Sequence, residues 1–226
     1  MASRPAHLEP WNNLYTTELS NHAADPFDIG TCWFEDSDAE SHNLDFLASL
    51  ADDAYEEPAV TLPSPLPRSS TSFLDLGCGN GALLFSLRDD GWQGRMLGVD
   101  YSPQSKTSRI RRMGPPVRPL VHPLNNHQST GWDLVLDKGT FDAISLSSAT
   151  DSQGRRLVES YRERMLRLLK PDGGLFLVTS CNWTEEELKG WFEGKELRVV
   201  GKVDYPTFTF GGAKGQTIST LCFQRA

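Results

Sequence analysis

No stretch of this 226-residue chain is both long, apolar and free of charge, so neither a transmembrane helix nor a secretory leader is expected. Cysteine is scarce. Cys32, Cys78, Cys181 and Cys222 lie far apart, and no Cys-x-x-Cys pair occurs. That argues against a disulfide framework and against a zinc site. His122 and His127 have no cysteine nearby and read as loop residues, so no metal is expected. The composition fits a reducing compartment, so the cytoplasm is the expected location, with the nucleus open as a second. Basic residues are almost missing from the first quarter. Residues 1–57 carry Arg4 alone against 13 acidic side chains, a net of −12; the chain total of −8 leaves +4 for the remainder. A strongly acidic quarter disfavours nucleic-acid phosphates as the main partner. It suits a basic protein surface, although a solvated, solubilising face accounts for the same charge.

The length is enough for one large α/β domain with a substantial core. Its organising stretch is residues 73–84, Phe-Leu-Asp-Leu-Gly-Cys-Gly-Asn-Gly-Ala-Leu-Leu. A short apolar run enters, three alternate glycines follow, and a helix-forming run leaves: strand, tight turn, first helical turn. Free amides and the dipole of the new helix face whatever binds there. The spacing Gly77-x-Gly79-x-x-Ala82 also fits a dinucleotide fingerprint. Asp75 argues against a pyrophosphate, which it would repel, and for a ligand carrying an ammonium and a sulfonium. The pattern Asp75-x-Gly77-x-Gly79-x-Gly81, with Cys78 inside it, resembles motif I of the seven-strand S-adenosylmethionine (SAM) methyltransferases. A glycine turn with no ligand remains the plain alternative.

Along the chain, residues 1–8 read as a leader. Trp11, Leu14, Tyr15 and Leu19 fall at helical spacing, and Leu44, Phe46, Leu47 and Leu50 suggest a second helix. Trp11, Tyr15, Trp33 and Phe34 either pack on the core or fold over the ligand mouth, and both roles are compatible. Four prolines within residues 58–71 mark a stiff surface linker between an acidic cap (1–57) and the main domain (72–226). Residues 95–99 form the next strand, ending at Asp100 about twenty residues past the glycine loop. There its carboxylate could accept both ribose hydroxyl protons, which NAD and SAM share. Tyr101 could cover the adenine face, and Ser102-Pro103 reads as a helix start. Residues 117–121 are a candidate edge strand, because Pro119 cannot donate to a ladder. Residues 132–136 are a stronger strand, delivering Asp137 to the rim of the ligand crevice, where it is either functional or a helix cap. An amphipathic helix is expected over 155–170, a strand over 175–179, a capping box at Thr184 and Glu187, and strands near 198–203 and 217–223 around a loop at 208–212. Alternating strands and helices followed by two consecutive strands predict an α/β, Rossmann-like sheet. It should be mostly parallel, with an antiparallel C-terminal hairpin and helices on both faces.

Taken together, the glycine loop, Gly98-Val99-Asp100-Tyr101-Ser102-Pro103, Asp-Lys-Gly-Thr-Phe-Asp-Ala at 137–143, and Thr-Ser-Cys-Asn-Trp-Thr at 179–184 carry a closer likeness. With residues 11–19, Trp33-Phe34 and 208–212, the chain resembles the eukaryotic lysine methyltransferases that modify translation elongation factor 1-alpha, the Efm4-type enzymes. The likeness implies a seven-strand methyltransferase sheet, SAM as cofactor, and transfer of its methyl group to a lysine ε-nitrogen of a protein, elongation factor 1-alpha. A monomer is expected, with neither nucleic acid nor a membrane as partner. On this reading Asp75, Gly77, Cys78, Gly79, Gly81, Asp100 and Tyr101 bind the cofactor. Asp137 positions the amine, and Asn182, Trp183, Phe208 and Phe210 line the lysine slot. The family's acidic residue after the third strand is absent: Val121-His122-Pro123-Leu124 stands there, leaving Asn125 or Asn126 as acceptors for adenine. Competing readings are a small-molecule methyltransferase, a NAD-dependent oxidoreductase and a non-catalytic scaffold. A nucleic-acid amine methyltransferase would carry Asn/Asp-Pro-Pro-Tyr where this chain has Asp137-Lys138-Gly139-Thr140.

Overall fold

In the computed structural model the described residues are 9–25, 27, 28, 30, 31, 33–54, 60, 62–102, 130–206, 208–210, 213–215 and 217–226. The expected leader, the helix after Ser102, the edge strand at 117–121, the histidines at 122 and 127, and Asn125 and Asn126 lie outside them.

A six-stranded sheet runs in the order β2 (Met96–Val99), β1 (Phe73–Leu76), β3 (Leu134–Lys138), β4 (Leu175–Ser180), β8 (Ser219–Arg225), β5 (Leu197–Val203). The first four strands are parallel, and β8 lies antiparallel between β4 and β5. The alternation of each strand divides the core in two. Phe73, Leu134, Leu136, Leu175, Leu177 and Cys222 face helices α2 (Ala39–Ser49) and α3 (Ala82–Asp89), whose Phe46, Leu47, Leu83 and Leu87 fill that layer. Leu74, Val135, Phe176, Val178, Leu221 and Phe223 face the other way. They meet Phe141 of α4 (Thr140–Leu146), Tyr161 and Met165 of α5 (Tyr161–Leu166), and Leu188 and Phe192 of α6 (Glu185–Phe192). The sheet is thus covered on both faces, as parallel pairing requires. Helix α1 (Glu9–Ala24) contributes the buried Tyr15. Thr184 and Glu187 form the expected capping box of α6, with both reciprocal bonds present.

Three expectations are revised. The helix expected over 155–170 shrinks to a 3-10 turn, Leu157–Ser160, followed by α5. At its start, the Arg155 amide donates to the Asp151 carboxylate and Thr150 bridges Arg156, which holds that end in a turn. At its end, the Trp132 amide donates to the Leu168 carbonyl and the Lys170 amide to the Trp132 carbonyl, pulling the last residues onto the sheet edge. The loop expected at 208–212 opens a small hairpin, β6 (Phe208–Phe210) paired with β7 (Ala213–Gly215). The proline-rich stretch is anchored, not only superficial. Val60 is buried in the α2–α3 layer, Leu62 and Leu66 pack against it, and Arg68 joins Asp53 to Asp90. Among the described residues no helix is long and apolar enough to cross a membrane.

Candidate active site

The strand order puts β2 on one side of β1 and β3 on the other, so a crevice opens at the carboxyl ends between β1 and β3. The glycine loop lies there. Gly77 has a φ of +69°, and a β-carbon on it would sit 1.9 Å from the Thr140 hydroxyl oxygen, which donates to the Leu76 carbonyl at 2.7 Å. Only glycine suits that backbone and that approach. Gly81, also in the left-handed region, precedes the first turn of α3.

A cleft is lined by Asp75, Gly77, Cys78, Gly79, Asn80, Ala82 and Leu83 from this loop, and by Lys138 from the end of β3. Its far side comes from the acidic N-terminal segment: Tyr15, Thr31, Trp33 and Glu40. The segment therefore does both things open to it, packing on the core and covering the crevice. Several contacts fix it. The Ser102 hydroxyl bonds to Asn12 Oδ1 at 2.8 Å, and Tyr15 places its hydroxyl 3.0 Å from where a β-carbon of Gly79 would lie. Lys138 Nζ donates to the Trp33 carbonyl at 3.0 Å, and the Ser86 hydroxyl donates to Glu40 Oε1 at 2.7 Å.

Burial dominates the electrostatics. Asp75, 3% exposed, has its pKa raised from 3.8 to about 7 by desolvation; Lys138 opposes the shift, and Asp137, Glu40 and Asp100 reinforce it. The Tyr15 phenol is held well above its ordinary range by burial, with Asp100 and Glu18 adding to it. Asp100 closes the β2 end. Its Oδ2 accepts the Gly79 amide at 3.0 Å and its Oδ1 the Ser102 amide at 2.8 Å, so it braces the glycine loop from the rim. Tyr101 stands beside it, largely open to solvent.

The structure thus gathers Asp75, Gly77, Cys78 and Gly79 in one cleft and sets Asp100 one bond away. The residues expected for the lysine slot are disposed differently. Asp137, 1% exposed, turns into the start of α4: it accepts the Thr140 amide at 2.8 Å, the Phe141 amide at 3.0 Å, and the Tyr161 hydroxyl. This is the helix-cap alternative, and desolvation lifts its pKa to about 7 against those bonds. Trp183 packs on Phe141 and Trp191 and donates its indole N–H to Ser145 Oγ at 3.0 Å. Asn182 is exposed, and neither residue lines the cleft. Phe208 and Phe210 belong to β6, and their side chains are outside what is described. Thr31, Glu40, Asn80 and Lys138 were not singled out from sequence.

A family model described as "Methyltransferase domain" matches residues 40–205. Protein-lysine N-methyltransferase EFM4 of Saccharomyces cerevisiae is 38% identical over 220 residues, 94% of this chain and 91% of that protein. The chain belongs to this methyltransferase family. Its Schizosaccharomyces pombe member, protein-lysine N-methyltransferase efm4, is 35% identical over 95% of this chain and 91% of its own length. The family extends to animals: human EEF1A lysine methyltransferase 2 is 40% identical over 161 residues, 68% of this chain and 65% of that one. The N-methyltransferase NodS of Bradyrhizobium japonicum, solved with S-adenosyl-L-homocysteine, has the same fold. Its TM-score is 0.51 at 17% identity, over 95% of this chain and 98% of its own. The methyltransferase expectation, and with it the α/β sheet, is therefore correct.

Proposed function

We propose that this chain is a SAM-dependent protein-lysine N-methyltransferase whose substrate is a lysine of translation elongation factor 1-alpha. The observation that carries the reading is the cleft. It combines the buried carboxylate of Asp75 and the nearby Glu40 with the cation of Lys138, against a glycine loop at the end of β1. That donor set fits a zwitterionic amino-acid tail with a positive centre: Asp75 and Glu40 for the ammonium, Lys138 for the carboxylate, and Asp100 for a ribose at the rim. The names of the relatives at 35–40% identity supply the acceptor class.

Bound SAM supplies an electrophilic methyl group on a sulfonium, which leaves as a neutral thioether. The protein's part is to hold a lysine amine in line and to exclude water, and orientation supplies a large share of such a rate. The amine must be neutral, yet free lysine titrates near ~10.4. An apolar, aromatic roof such as Tyr15 and Trp33 lowers that value by desolvation. As the new N–C bond forms, the nitrogen becomes an ammonium and sheds its proton to solvent. No buried base is needed, and Asp137 acts here through the helix it caps. The protein works as a monomer in the cytoplasm, on a protein and not on nucleic acid.

The test is incubation with methyl-labelled SAM and a eukaryotic lysate, followed by mass spectrometry of the labelled band. Label on a lysine of elongation factor 1-alpha is expected; label confined to RNA or small metabolites would refute the reading.

A further inference from the structure

Helix α2 carries Glu40 to the wall of the cleft, yet no side-chain cap fixes where that helix starts. Its N-cap residue, Asp38, sits in the left-handed region at φ +47° and makes no side-chain cap bond. Phe46, Leu47 and Leu50 of the helix face are buried in the core, but apolar contact is non-directional and tolerates a small slide or roll. Direction comes from a polar side chain between the two. Asn43 is 2% exposed and lies about one turn after Glu40 on the same face, with Leu47 a turn further on. Its amide is held at both ends. Nδ2 donates to Thr179 Oγ1 of β4 at 3.0 Å, across 136 residues of sequence, and Oδ1 faces the Tyr205 hydroxyl at 3.4 Å. Thr220 Oγ1 of β8 stands 2.8 Å from the Tyr205 hydroxyl and 2.8 Å from Thr179 Oγ1, which closes a buried ring of four side chains.

Stability alone does not call for an amide in that ring. The three hydroxyls reach one another through Thr220, and an apolar side chain at position 43 would suit the layer that already holds Phe46 and Leu47. What the amide adds is direction, and fixing a register is the best-attested use of a buried polar group. That register has consequences on both sides of the ring. Along α2, Glu40 reaches the cleft, where its Oε1 accepts the Ser86 hydroxyl of α3 at 2.7 Å. Across the sheet, Thr179 is the ladder partner of Lys138, and its carbonyl accepts the Gly139 amide at 3.0 Å. The ring therefore ties the helix that bears the acidic wall residue to the strand beside the basic one.

We propose that Asn43 is a positioning residue for the cofactor: it sets the register of α2 on β4 and so places Glu40 to meet the ammonium of SAM, with Lys138 left for the carboxylate. This rests on the function proposed above and deepens its cofactor site. Asn43 does not itself line the cleft, so it acts through Glu40.

The test is calorimetric titration of the full chain with SAM. Glu40→Gln should weaken binding about tenfold, the size of a lost charge-assisted hydrogen bond. Asn43→Leu should weaken it about fivefold. The two together should bind no more than about twofold more weakly than Glu40→Gln alone, because the amide acts through the carboxylate. Thr220→Val removes a hydroxyl from the same ring but leaves both partners of Asn43 in place. It should lower the midpoint of urea unfolding and keep SAM affinity within about twofold of wild type. Asn43→Ala, which adds no bulk, answers the same question should the leucine variant fold poorly. Effects of Asn43→Leu and Glu40→Gln that multiply, to about fiftyfold, would make the ring a plain core network and overturn the inference. So would wild-type SAM affinity in the Asn43 variants or in Glu40→Gln, or an equal loss in Thr220→Val. Wild-type protein that binds no SAM would instead defeat the function reading itself.

Discussion

Asp75 is a carboxylate that the fold holds out of water before any ligand arrives. Its pKa of about 7 against 3.8 means that, between roughly pH 4 and 7, the folded chain keeps a proton that the unfolded chain has released. Stability of the free protein on this account is greatest in acid and falls as pH rises through that window, then levels off above it. A cationic ligand reverses the preference, because it pairs with the ionised form. Cofactor binding should therefore tighten as pH rises from 6 to 8 by about tenfold, the change in ionised fraction about a pKa near 7. Calorimetry across this range checks it, and a proton should be released on binding at the acid end. Asp75→Asn should bind more weakly at pH 8 and show no such slope. Equal affinity of the wild-type protein at pH 6 and pH 8 would remove Asp75 from the cofactor site. Asp137 titrates in the same range, but it is bonded to Thr140, Phe141 and Tyr161 outside the cleft, so its contribution belongs to stability.

At the scale of elements, the start of α4 shows how one carboxylate sets a site from below. Asp137 satisfies two amides at the first turn of that helix and the buried Tyr161 hydroxyl of α5, fixing the residues between, Lys138 and Gly139. Asp137→Ala should lower stability by about 2–4 kcal/mol, a lost cap plus an orphaned buried donor. Asp137→Asn keeps an acceptor and should cost about 1 kcal/mol or less in urea unfolding, with kcat within a few-fold of wild type. A folded Asp137→Asn protein with kcat reduced a hundredfold or more would return Asp137 to the amine. Much of this element was legible in the sequence: the apolar run, the carboxylate at its end, the glycine, and a cap as one of two roles. The glycine loop, Asp100 at the next strand's end and the capping box of α6 were legible for the same reason, since each is a local device within a few residues. Residues 155–170 were not, because their helical stripe is real but the ends are taken by partners elsewhere, Asp151 before and Trp132 across the sheet edge. Lys138 and Glu18 were illegible for a related reason. A lone charge at helical or strand spacing reads as solvated, and only the folded chain shows the Trp33 carbonyl and the Thr31 amide as their partners. The motif around Trp183 was legible, but its local partners were not: the ring packs on Phe141 and Trp191 and its indole N–H donates to Ser145, all from other elements.

On the scale of the whole molecule, charge and position coincide. The segment that holds 12 units of net negative charge also supplies one wall of the cleft, so the molecule presents its acidic face where a substrate must approach. Glu35, Asp36 and Asp38 are exposed on the turn directly after Trp33 and Phe34. A merely solubilising charge has no reason to sit at that rim, whereas a basic protein surface would be steered by it over about one Debye length, ~8–10 Å at moderate salt. The two accounts differ in what salt does. If the face guides a protein substrate, KM for elongation factor 1-alpha should rise several-fold between about 0.05 and 0.5 M salt, while KM for SAM, held inside the cleft by partly buried groups, should change much less. Neutralising the turn with Glu35→Gln, Asp36→Asn and Asp38→Asn together should raise KM at low salt and flatten its salt response. Asn tolerates the left-handed backbone at position 38, so the turn should survive the change. If the triple variant keeps both the KM and the salt response of the wild type, the acidic face does no more than keep the protein in solution.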